Sequence, residues 1–462
     1  MRTRPLRALA ILVCALAPLP AAAGSDAALD LAAARHLLTR AGFAPTASEA
    51  RALEGRTRED AVDALLAGTR TTPVTPPPAW VGEHDPAEPG LRPAQLTDAE
   101  RKSLRQRESA RIAELRAWWL DEMRATPSPL TERMTLFWHN HFVSSEQKVR
   151  DARLMYAQNA ALRREALGSF SALVHTVAKD PAMLIYLDGA RNRRGAPNEN
   201  FAREVMELFT LGEGHYRQSD VSEAARAFTG IGVDRQAGEA VFRPRLHDSG
   251  IKEVLGTRGN LDTDTVLDVL LAQPETASFI VAKLWREFVS PAPDSREVER
   301  IAADFRASGY SIKVALRELL LCDAFWAAES RGTLVKSPAE LVVGTLRAVA
   351  IAPRDMRPFA AATSRMGQTL FAPPNVKGWP GGDAWINSST LLARQRFLAA
   401  LSRRTPEGAA MQIAASADHR IAIDDLLLPL PPVGDAVAEA RAEREPAGLV
   451  RAAFLDPVYQ LK

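Results

Sequence analysis

Two histidines stand one residue apart in Thr135-Leu136-Phe137-Trp138-His139-Asn140-His141-Phe142. Imidazoles carry protons near neutral pH and ligate metals, so the pair is a candidate for chemistry. In an extended chain the two side chains share one side, the spacing of a metal-binding pair. On a helix they diverge by about 200°. His141 then faces the core beside Met134, Phe137 and Trp138, and His139 points away. The competing reading is a core histidine bonded to a backbone carbonyl plus a surface one.

A second segment runs from Gly195 to Gly212 and holds Asn198-Glu199-Asn200-Phe201-Ala202-Arg203-Glu204-Val205-Met206-Glu207-Leu208-Phe209. Asn198 is an N-cap type after Pro197, and Gly212 is a helix stop. Phe201, Val205, Leu208 and Phe209 form the buried stripe. Glu204 falls within that stripe or at its margin, with Asn200 and Glu207 beside it. A carboxylate so placed must be paired, metal-bound or protonated. One reading pairs Glu204 with Arg191, Arg193 or Arg226. The other builds a carboxylate–histidine metal site between helices.

His247-Asp248 in Arg245-Leu246-His247-Asp248-Ser249-Gly250 cannot be a dyad by itself, since neighbouring side chains diverge, yet a loop could present either residue to a site. A turn with Asp248 bonded to the backbone near Gly250 is the plainer alternative. In Pro373-Pro374-Asn375-Val376-Lys377-Gly378-Trp379-Pro380-Gly381-Gly382-Asp383-Ala384-Trp385, prolines and glycines frame two indoles. This is an ordered loop that lines a pocket or packs its indoles on the core.

Together these segments suggest an enzyme with Glu204, His141 and His247 as its catalytic groups. The ligands for a divalent metal would come from His139, His141, Glu204, Glu207, His247 and Asp248. The alternative is a non-catalytic cell-envelope protein that binds another protein or a polymer through the Trp379–Trp385 loop.

The elements that would position these groups read almost entirely with helical period. Thr46 with Glu49, and Thr97 with Glu100, are capping-box patterns, the second opening a helix to about Arg124. Further helices are predicted over 130–143, 150–167, 199–211, 275–289, 335–350 and 388–402, among others. Strand signal is confined to a small hairpin insert around 240–256. The expected fold is therefore mainly α, a multi-helix globular bundle. Residues 24–402 form its helical domain with a proline-rich loop at 71–97. Residues 403–462 read as a partly irregular C-terminal extension.

These segments occur in an order that resembles the bacterial family catalogued as domain of unknown function 1800. The resemblance begins at Arg35-His36-Leu37-Leu38-Thr39-Arg40-Ala41-Gly42-Phe43 and continues through Trp138-His139-Asn140-His141-Phe142 and Pro197-Asn198-Glu199-Asn200-Phe201-Ala202-Arg203-Glu204. His247-Asp248 follows, and Pro373-Pro374-Asn375-Val376-Lys377-Gly378-Trp379-Pro380-Gly381 completes it. It implies an exported helical protein and no established reaction. Some members carry histidine where Phe209 stands here, a departure that weakens the metal reading for this chain.

The first residues describe export. Arg2, Arg4 and Arg7 precede an apolar run over Ala8–Ala17, broken by Pro18 and Pro20 before Ala21-Ala22-Ala23. This is the pattern of a secretory signal peptide over 1–23, and the run is too short to span a bilayer. The expected location is periplasmic or extracellular. Removing three arginines from 58 basic residues leaves 55 against 56 acidic ones, so nucleic acid is not an expected partner. Cys322 is then a lone thiol in an apolar helical stretch, which reads as buried and inert.

Overall fold

Capping signals open helices where they stand. Thr46 Oγ1 accepts from Glu49 N at 3.2 Å while Glu49 Oε2 accepts from Thr46 N at 2.7 Å, and Thr97 and Glu100 repeat the exchange. Each box satisfies amides that a helix start leaves free. In the computed structural model, which describes residues 28–82, 97–403, 427–443 and 446–462, the boxes begin α2 (Ala47–Leu53) and α4 (Asp98–Ala125). Around α2 lie α1 (Leu31–Arg40) and α3 (Arg58–Ala67). After α4 come α5 (Pro129–His141), α6 (Glu146–Val149), α7 (Ala152–Glu165), α8 (Phe170–Ala178) and α9 (Pro181–Tyr186). The helix expected over 199–211 divides into α10 (Glu199–Glu204) and a π-helical turn, Val205–Thr210, before α11 (Gln218–Ala227).

Beyond the strands lie α12 (Thr263–Ala272), α13 (Pro274–Phe288), α14 (Ser295–Ala307), α15 (Ile312–Leu321) and α16 (Asp323–Trp326). The chain then forms α17 (Pro338–Ala348), α18 (Arg357–Arg365), α19 (Ser388–Ser402), α20 (Asp435–Glu443) and α21 (Pro446–Leu455). The fold is mainly α. Among the described residues its β structure is two separate antiparallel pairs where one insert around 240–256 was expected. β1 (Ile231–Asp234) pairs with β2 (Glu239–Phe242), and β3 (Lys252–Val254) with β4 (Thr257–Gly259). Each strand meets its partner across a short local turn, so Val241-Phe242 and Glu253-Val254 belong to different hairpins.

The core has two parts. One gathers apolar side chains of α1, α3, α8, the π turn and α11–α16. The other gathers those of α4, α17–α19 and the C-terminal helices. α5 stands between them, giving Met134, Phe137 and Trp138 to the first and Leu136 to the second. Every residue of α5 from Leu130 to His139 is buried. Among them is an ion pair, Glu132 with Arg163 at 2.5 and 2.9 Å, to which Trp119 Nε1 adds a hydrogen bond at 2.8 Å.

From Leu427 onward the segment set apart as an extension lies in the body of the fold. Phe454 and Tyr459 are buried, Lys336 N donates to Gln460 O, and Lys462 N donates to Leu334 O, both at 2.8 Å. The described part of the proline-rich loop is tied to α4, where Glu122 accepts from the amides of Val74 and Thr75. The signal-like residues 1–23, residues 83–96 of that loop and residues 404–426 lie outside the described residues. Among the described residues no single helix is long and apolar enough to cross a membrane. Cys322 is buried, and burial pushes its thiol up to about 11.

Candidate functional site

Pro129 at the first position of α5 presets its start, and the helix runs unbroken to His141, where Phe142 N still donates to Trp138 O at 2.7 Å. Because the backbone stays helical, the two imidazoles diverge and do not form the extended metal pair. Both are nevertheless buried, His139 at 1% exposure and His141 at 3%. The surface position read for His139 fails because α5 is covered on both sides. Trp119, Phe371 and Trp379 enclose the His139 ring at centroid distances of 5.3, 5.4 and 5.7 Å. Its Nε2 has no hydrogen-bond partner among the described residues, and burial holds its pKa down to about 3. It is a neutral ring in an aromatic box.

His141 faces the other way, into a cleft. Its Nε2 lies 3.1 Å from Phe209 O, and a carbonyl only accepts, so Nε2 carries the hydrogen. Nδ1 is then the acceptor for Lys283 Nζ at 2.9 Å. Burial, then the charge of Lys283, holds the imidazole well below its ordinary pKa. With both ring nitrogens engaged, His141 has no lone pair free for a metal.

The carbonyl that receives His141 belongs to the π turn. Leu211 N donates to Met206 O, five residues back, and the buried Thr210 hydroxyl donates to Val205 O at 2.8 Å. Phe209 stands in the last turn of this segment, where carbonyls lack a partner within the helix, so its oxygen is free to bond outside it. Glu204 and Glu207 sit at the margin of the buried stripe, each partly exposed. Glu207 accepts from Tyr216 Oη at 2.6 Å. Glu204 is not paired with Arg226, whose guanidinium holds Glu223 and Asp248. Burial and the nearby Glu207 charge push the Glu204 carboxyl up, against Lys377 and Arg203. Asn200 is exposed.

His247 and Asp248 serve the loop that carries them. His247 Nδ1 lies 2.9 Å from Thr229 O, and its ring packs edge-on against Phe242. Asp248 binds Arg226 at 2.8 and 3.2 Å and accepts from Gly250 N at 2.9 Å, the backbone turn weighed in the sequence. The hydrogen bonds from Arg226 hold its carboxyl down to about 2. Thus the structure links His141 to the Glu204 segment through Phe209, and places His247 and Asp248 with Thr229 and Arg226. Among the described residues no three His, Cys, Asp or Glu side chains stand where they could hold a metal ion.

The loop over 373–385 closes the cleft. Trp379 N donates to Asn140 Oδ1 at 2.7 Å, and Asn140 Nδ2 donates back to Trp379 O at 3.3 Å. Gly378, at φ +82°, passes so close that a Cβ there would lie 2.6 Å from the Asn140 carbonyl oxygen. Trp379 and Trp385 are 4% and 7% exposed, so the indoles pack inward. The cleft they help enclose has a volume of about 450 Å³ and is also lined by His141, Lys283 and Arg286. Its deep wall is an ion-pair chain. Arg133 lies 2.5 Å from Glu287 and 2.6 Å from Glu340, which also binds Lys462 at 2.5 Å. Burial opposes the Glu340 charge, yet Arg133 and Lys462 hold the carboxyl down to about 2. A larger hollow of about 680 Å³ lies between α18 and α19, lined by such residues as Phe359, Met366 and Phe397, and touches none of these groups.

A family model described as "Protein of unknown function (DUF1800)" matches residues 36–461, nearly the whole chain. The chain belongs to the DUF1800 family. No curated protein and no solved structure matches it. The DUF1800 match runs through α20 and α21, in keeping with their place in the second core.

Lys283 is the group in this DUF1800 chain that reading the sequence missed. It lies on α13 at the edge of a buried arc that includes Thr276, Ile280 and Leu284. Its contacts are His141 and the face of Phe279, 5.0 Å from the ring centroid. No carboxylate pairs with it among the described residues, and burial, with Arg286 beside it, brings its pKa down to about 8. The available signal was a lysine bordering the apolar stripe of a core helix.

Proposed function

We propose that this is an exported enzyme whose reaction centre is the cleft between α5, α13 and the 373–385 loop. The observation that carries the reading is the Lys283 ammonium. It stands at the cleft wall without a carboxylate partner among the described residues, held by a histidine whose tautomer is fixed. An amine that titrates near pH 8 exchanges protons readily under ordinary conditions, which suits a general acid or base. Lys283 would exchange the proton with substrate, and His141 would position it. Export is supported by Arg2, Arg4, Arg7, the apolar run and Ala21-Ala22-Ala23. Glu204, Glu207, His247 and Asp248 have no part in the chemistry proposed, which uses no metal. The envelope-binding alternative is weaker, because the indoles it would use as a contact surface are buried.

The test is turnover by the mature protein against esters, amides, glycosides and carbonyl compounds, with Lys283→Met alongside. The reading expects a substrate whose turnover falls by about 100-fold or more in the variant, at unchanged melting temperature. It also expects the basic limb of the pH–rate profile to move in His141→Ala. Equal turnover by wild type and Lys283→Met would remove Lys283 from the mechanism.

A further inference from the structure

The charges around the cleft do not cancel. Its lining includes five cationic side chains, Arg133, Lys283, Arg286, Lys377 and Lys462, against three carboxylate side chains, Glu287, Glu340 and Asp383, an excess of two among the side chains with His141 neutral. Glu287 and Glu340 are already taken up by Arg133 and Lys462 on the deep wall. Lys377 leans outward to Glu213 at 3.3 Å. Lys283 and Arg286 are left on one side of α13, three residues apart and so neighbours on the helix surface. Neither has a carboxylate partner among the described residues. The only hydrogen bond Arg286 makes there is a long one to Ala282 O, at 3.4 Å.

A partly buried cation without a counter-charge is costly, and an arriving anion removes that cost. The point charge of a lysine beside the flat fork of an arginine suits an oxyanion, which accepts from both. The lining also offers apolar surface in Leu136, Phe137, Pro380 and Trp379, beside polar groups such as Asn140 and Gln368. A space of about 450 Å³ is the size of a small-molecule site.

We infer that the cleft takes a small amphipathic carboxylate, its head between Lys283 and Arg286 and its apolar body along Phe137 and Trp379. This names the substrate class of the proposed centre, and in calling the ligand a substrate it rests on that reading. Binding, however, can be measured without turnover.

The probes are 4-phenylbutyrate, its uncharged analogue 4-phenylbutanol, and inorganic phosphate, titrated into the mature protein by calorimetry at low ionic strength. The carboxylate should bind about tenfold or more tightly than the alcohol, and its affinity should fall as salt rises. Lys283→Met should weaken it by about tenfold, Lys283→Arg by little, and Arg286→Gln by about threefold. Arg286 is exposed, so that variant remains informative even if Lys283→Met fails to fold. Equal binding of the alcohol, or no change in either charge-removing variant, overturns the inference. Binding of phosphate with none of the phenylbutyrate overturns it too. Phenylbutyrate binding by a protein that turns over nothing leaves the inference standing and removes the enzyme reading. Turnover of uncharged substrates alone does the reverse.

Discussion

Replacing Gly378 with alanine should be costly, and the sources of the cost can be separated. The residue sits at φ +82°, where a Cβ is disfavoured by about 1–2 kcal/mol whatever surrounds it. The new methyl would also lie 2.2 Å from Asn140 Oδ1 and 2.6 Å from Asn140 O. Backbone at the end of α5 cannot yield without moving the helix, so the loop must move instead. That breaks the two hydrogen bonds between Asn140 and Trp379, worth about 1 kcal/mol each. The expected total is about 3–4 kcal/mol. Gly55 is the internal control, because it has φ +80° and nothing within 4 Å of its would-be Cβ. Alanine there should cost only the backbone term, about 1–2 kcal/mol. Urea unfolding followed by near-ultraviolet circular dichroism reads both, provided the slope stays constant between variants. If Gly378→Ala is no less stable than Gly55→Ala, the close approach of loop to helix is not what holds the cleft wall.

Two further outcomes follow from α5. His139 stays neutral down to about pH 3 in the folded protein and protonates near 6.5 when unfolded. Its depressed pKa contributes stability that is complete above about pH 6.5 and is lost progressively as pH falls towards 3. Between pH 7 and pH 5 this group should therefore cost about 2 kcal/mol. His139→Phe should show a correspondingly smaller drop in urea midpoint over that interval, and an equal drop would contradict the assignment. Glu132→Gln strands the Arg163 charge between helices and should destabilise by about 3–5 kcal/mol. Glu132→Leu combined with Arg163→Met should recover much of that loss in the same titration.

What the sequence made legible was local. Capping boxes at Thr46 and Thr97 bond residues three apart, so their partners are visible in the chain itself. The turn at Asp248 is of the same kind. The environment of His139 is not, because the covering rings come from Trp119, Phe371 and Trp379. Helical period marks one face as buried and has no means of showing that a second core lies behind the other. The π turn escaped for a related reason, since Val205–Thr210 keeps the apolar spacing of an α-helix while changing which carbonyls are free. Lys283 meets His141 across 142 positions, and neither residue carries a mark of the other. The candidate site was thus half visible: His141 was named for its chemistry, but its partner is fixed only by the packing of α13.

The placing of α5 between two cores has a consequence for how the gene can be cut. The first core draws on residues from Leu29 to Trp326 and the second on residues from Phe43 to Tyr459, so the two are interleaved along the chain. A truncation after α16 would keep most of one core while stripping α5 of its cover on the side of Phe371 and Trp379. The amino-terminal fragment would then expose Trp119 and His139, and the carboxy-terminal fragment would lack the helix it packs against. Neither should be obtained as a soluble, separately expressed piece, whereas the two co-expressed could reassemble around α5.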